Sequence, residues 1–105
     1  MKEKPVQPKA IGLLLLDIAG SDRPRYEQVI RHLAQRQGYE LAGLLTIGTD
    51  TYMPTTLVVE TVCKAGASAI LAPDLAHFNG HAKAISLACD LVTADGIVPR
   101  SGGER

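Results

Sequence analysis

The sequence predicts a single three-layer α/β domain of about four mostly parallel strands with helices on both faces. Three observations carry this. The run Ile11-Gly12-Leu13-Leu14-Leu15-Leu16 has no polar alternation, the pattern of a strand covered on both sides. Strand-like runs then alternate with helical patterns through short connections. Finally, 46% hydrophobic and 21% charged residues in a 105-residue chain suit one modest core.

The elements follow in order. Met1 to Lys9, with Pro5 and Pro8, reads as a flexible leader, residues 10–99 as the folded domain and 100–105 as a disordered tail. The first strand ends at Asp17. Ser21 or Asp22 caps a helix that accepts Pro24 in its first turn, with an apolar stripe of Tyr26, Val29, Ile30, Leu33 and Ala34 and a stop at Gly38. Residues 40–47 form the second strand. A loop reaches Pro54, where a helix to Ala65 packs through Leu57, Val58, Val62 and Ala65 before Gly66. Residues 69–72 form a short third strand stopped by Pro73. Leu75 to Phe78 makes a helical turn, His81 to Cys89 a helix with Ala84, Ile85 and Ala88 inward, and Leu91 to Thr93 a fourth strand.

Lys+Arg and Asp+Glu both total 11, so formal net charge is zero, which argues against nonspecific nucleic-acid binding. The apolar stretch near residue 10 is much shorter than the ~20 residues a bilayer requires, and the leader lacks a secretory pattern. A cytoplasmic protein without membrane attachment is expected. Cys63 and Cys89, each in an apolar helical pattern, read as reduced core thiols.

The first strand with its Asp17 end, the helix ending Leu33-Ala34-Gln35-Arg36-Gln37-Gly38-Tyr39-Glu40, and the third strand running into Leu75-Ala76-His77-Phe78-Asn79-Gly80 together resemble a known family. The likeness is to the N-terminal catalytic domain of the serine recombinases, the resolvase and invertase group. It covers roughly residues 10–95 and rests on pattern. It implies a resolvase-like fold and a link to DNA recombination. The family's arginine and nucleophilic serine at the end of the first strand fall here on Leu15 and Asp17. Its Asp-Arg pair and following arginine fall on Ala76, His77 and Gly80. A carboxylate repels the phosphate a serine would attack, and leucine or glycine cannot stabilise a charged transition state. The resemblance therefore implies an inactive homologue with no catalytic residues, acting as a binding or regulatory module. The family's long dimerisation helix and helix-turn-helix are not expected in the residues after the fourth strand.

Other groups carry weaker chemistry. Asp17, Asp50, Asp74 and Asp95 follow predicted strands; Asp17 and Asp74 are the candidates for Mg²⁺ in an alternative reading, a small metal-dependent phosphate-handling enzyme. Strand-end and cap hydrogen bonding explains the same aspartates more simply. His77 and His81, with Asp74 or Cys89, have zinc-ligand character, but Asn79-Gly80 breaks their shared face and surface or cap histidines are expected. No metal or cofactor is expected. Arg25, His32 and Arg36 lie on one arc of the first helix, with Glu27 to Arg31 as an i,i+4 pair. That arc is the candidate binding face for phosphates or an acidic partner, although a solvated face is the simpler account. Tyr52-Met53-Pro54 forms an exposed-looking tip. The expected partners are a second copy or another protein, with weak DNA contact at most.

Overall fold

The computed structural model describes residues 8–48, 50–51, 53–78 and 82–100. β1 (Lys9–Leu15) is an interior strand of its sheet, buried from Ala10 to its last residue. β1 pairs in parallel with β2 (Glu40–Ile47) on one side and with β3 (Ala69–Leu71) on the other. β3 pairs in parallel with β4 (Asp90–Thr93), and β4 pairs antiparallel with β5 (Gly96–Val98). The strand order β2-β1-β3-β4-β5 makes five strands among the described residues rather than about four. The added strand follows from Asp95-Gly96, a hairpin dipeptide. It closes a tight turn in which Thr93 Oγ1 accepts from the Asp95 N–H and donates to the Gly96 carbonyl, both at 3.2 Å.

Both faces of the sheet are covered. On one lies α2 (Arg23–Gln37), whose Ile30, Leu33 and Ala34 are buried against Ala10, Leu14, Ala69, Leu71 and Val92. Tyr26 and Val29 complete that stripe as half-buried side chains. On the other face, α3 (Pro54–Ala65) and α4 (Ala82–Ser86) meet the sheet. Val58, Val62 and Ile85 pack there with Ile11, Leu13, Leu15, Ile70 and Leu91. Each leucine fully buried in this way contributes about 2 kcal/mol of transfer free energy. Gly38 and Gly66 end α2 and α3 at φ of 78° and 67°, the left-handed conformation that terminates a helix with least strain.

Several expectations are corrected at one helical step from the buried row. Leu57 is exposed because it precedes Val58 by about 100° of helix rotation. Cys63 is exposed because it follows Val62 by the same angle, so it is not a core thiol. Ala84 is exposed while Ile85 and Ser86 are buried, α4 being shorter than expected. Cys89 is buried, and burial first, then the neighbouring Asp90, pushes its thiol up to about 11. An aromatic disulfide reagent is therefore expected to titrate one thiol, Cys63, in the native protein, and both cysteines only in denaturant. Rapid loss of two thiols from the folded chain would contradict this packing.

Candidate functional site

In an open parallel sheet, ligands meet the protein beyond the carboxyl ends of the strands, where neighbouring crossovers diverge to opposite faces. Here that place lies between β1 and β3. β1 stops at Leu15, one residue earlier than the apolar run suggests. Leu16–Ala19 then turn into a single helical turn, α1, which buries only Ala19. Asp17 consequently sits exposed on α1 rather than at the strand end. A 3-10 turn, Gly20–Asp22, leads into α2, with Pro24 in its first turn. Asp22 occupies the cap position, but its side chain makes no capping hydrogen bond.

Beyond β3, the Ala72 N–H donates to the Val92 carbonyl at 3.0 Å, and Pro73 ends the ladder. Asp74 then folds the chain back. Its Oδ1 accepts from the Ala76 N–H at 2.9 Å, and its carbonyl accepts from the His77 N–H at 3.2 Å. This opens the 3-10 turn Leu75–Phe78, which sends Phe78 into the core and His77 under the end of β1.

His77 is the most informative residue of the site, and it overturns the expectation of a surface or cap histidine. It is wholly buried, and its Nδ1 accepts a hydrogen bond from the Leu15 backbone N–H at 3.0 Å. That N–H belongs to the last residue of β1, and the imidazole satisfies it away from water. An accepting Nδ1 places the ring proton on Nε2, so the ring is neutral. Burial lowers the His77 pKa from its ordinary value, opposed in part by the Asp74 carboxylate. Tyr26 of α2 meets the ring edge-on at 5.3 Å and 65°. Nε2 has no hydrogen-bond partner among the described residues.

The structure thus brings together two of the candidate positions, Leu15 and His77, through a backbone-to-ring bond. The Leu15 side chain is buried in the core below. Ala76 is exposed, and Gly80, like Asn79 and His81, lies outside the described residues. Among the described residues no three His, Cys, Asp or Glu side chains gather into a metal-binding group. Asp95 lies in the β4–β5 turn, and Asp50 is exposed after β2. Nor is any helix among the described residues long and apolar enough to cross a membrane.

Arg25, His32 and Arg36 are all exposed along α2. Only His32 of the three lines the open cleft of about 640 Å³ between α2 and the start of β2, together with Arg31, Gln35 and Tyr39. Glu27 pairs with Arg23, at 3.3 Å, in place of the expected Arg31. Such an exposed pair contributes little. Met53 is exposed at the start of α3, and Tyr52 lies outside the described residues.

The chain matches no family model, no curated protein and no solved structure. The arrangement at the rim is a structural clasp, a neutral histidine holding the end of β1. The sequence signal for it was the Pro73-Asp74 turn three residues before His77, which fixes where the ring returns.

Proposed function

We propose that this chain is a catalytically inert relative of the serine recombinase N-terminal domain, acting in the cytoplasm as a binding or regulatory module. One observation carries the reading. At the position where the resemblance calls for the arginine of an Asp-Arg pair after the third strand, this chain has His77, buried, neutral and committed to the Leu15 N–H at 3.0 Å. A ring held this way offers no positive charge to a phosphodiester. The neighbouring positions agree, with an apolar Leu15 and a negatively charged Asp17 where the resemblance calls for arginine and serine. The alternative, a metal-dependent phosphate enzyme using Asp17 and Asp74, has less support. One Asp74 oxygen is already engaged by the Ala76 N–H, and Asp17 stands exposed on a separate turn.

The test combines supercoiled plasmid with a duplex shift assay at about 50 and 200 mM salt. The expected result is no nicking, no covalent protein–DNA adduct and at most weak, salt-sensitive retardation. A covalent adduct, or tight binding unaffected by salt, would overturn the proposal.

A further inference from the structure

Among the described residues, β2 is the longest strand of the sheet and no strand pairs with its outer edge. Such an edge is a template for a further strand unless it is blunted by charge, proline or extreme shortness. β5, at the opposite edge, is three residues long and runs into Pro99. β2 has eight residues, no proline, and one charged side chain, Glu40, at its start. A bulge at Ala42 is its single irregularity: Leu41 opposes Ala10 and Gly43 opposes Ile11, leaving Ala42 between them.

The edge also carries a vacancy. Gly43 has no backbone need to be glycine, because it is absent from the positive-φ positions and an added Cβ would meet only Ile11 Cδ1 at 3.8 Å. Glycine inside a strand weakens it, and such residues mark a bulge, as beside Ala42 here, or a place where another backbone comes close. Here the missing side chain leaves an open cleft of about 400 Å³ over Ile11, bounded by Leu45, Thr61, Lys64 and Ala65. Leu45, two residues along and on the same face, is only half-buried.

We propose that the outer edge of β2 is the joint between two copies of this chain, paired antiparallel about a two-fold axis at Leu44. That axis sets the second copy's Leu45 opposite Gly43, where opposed side chains approach within about 5 Å. The leucine fills the vacancy, and symmetry repeats the contact. The surface is therefore complementary to itself, which selects a second copy over an unrelated strand. Zero formal net charge leaves the copies without long-range repulsion. The joint lies on β2 and is independent of the chemistry at the β1 rim.

Sedimentation of the full chain over a wide concentration range, with three variants, tests this. Wild type is expected to dimerise reversibly. Gly43→Val overfills the cleft and Leu45→Ala empties it, and each is expected to weaken dimerisation roughly tenfold. The double variant Gly43→Val/Leu45→Ala moves bulk across the joint at nearly constant volume and is expected to recover most of the loss. At concentrations where wild type is monomeric, Gly43→Val should also melt no lower than wild type, and Gly43→Ala serves in its place if it fails to fold. A wild type that stays monomeric, single variants that dimerise unchanged, or a double variant as weak as the two losses combined would each overturn the joint. None of these outcomes bears on the plasmid and duplex assays.

Discussion

Gly12→Val is expected to destabilise the protein by about 3 kcal/mol. For a domain of this size, that lowers the melting temperature by roughly 10–20 °C. Gly12 lies in the middle of β1 and faces α2. A Cβ built there would stand 2.5 Å from Leu44 Cδ1 and 2.8 Å from Ile30 Cγ2. Ile30 is fully buried in a close-packed interior, so added bulk pushes α2 away from the sheet. Gly43 provides the contrast one strand away. Gly43→Ala meets nothing closer than 3.8 Å and relieves a strand glycine, so it should be neutral or stabilising by about 0.5–1 kcal/mol in the monomer. Urea melts of the two variants read both signs, and a Gly12→Val protein as stable as wild type would refute the packing of α2 on β1.

The second large effect is expected at His77. His77→Ala removes a buried ring and leaves the Leu15 N–H without an acceptor, a combined cost of about 3–5 kcal/mol. The same bond makes stability depend on pH with a definite sign. Burial depresses the folded-state pKa of His77 below its ordinary 6.5, so the unfolded chain binds the proton more readily. The stabilising contribution is full above that ordinary value and is lost as pH falls through the depressed one. Below it, protonation would place a second N–H where Leu15 needs an acceptor. Urea midpoints measured from pH 8 downward should therefore drop below about pH 6.5 in wild type. The His77→Phe variant, starting less stable, should have a shallower slope in that window. Equal slopes would mean that His77 is not buried neutral in the folded state.

Much of the architecture was legible because its signals are local. The unbroken apolar run from Ile11, the stop at Gly38 and the Pro54-to-Ala65 helix bounded by Gly66 each act within one element. The errors arise where three-dimensional position decides. Leu57, Cys63 and Ala84 look like core residues from composition, yet each lies a single residue from a buried side chain and so points away. β5 escaped notice because Ile97 and Val98 are only two apolar residues, although Asp95-Gly96 ahead of them signals a hairpin. At the rim, spacing along the chain cannot reveal a contact across 62 residues. The bond from Leu15 to His77 exists because β1 and β3 are neighbours in the sheet. That adjacency turns an apparent surface histidine into the clasp of β1.

The most direct measurement is the protonation state of His77 in the folded chain, read from its imidazole nitrogens by long-range ¹H–¹⁵N correlation. The account predicts a neutral ring at pH 7, protonated on Nε2, with Nδ1 shifted as a hydrogen-bond acceptor. A ring carrying its proton on Nδ1, or a charged imidazolium at that pH, would contradict it.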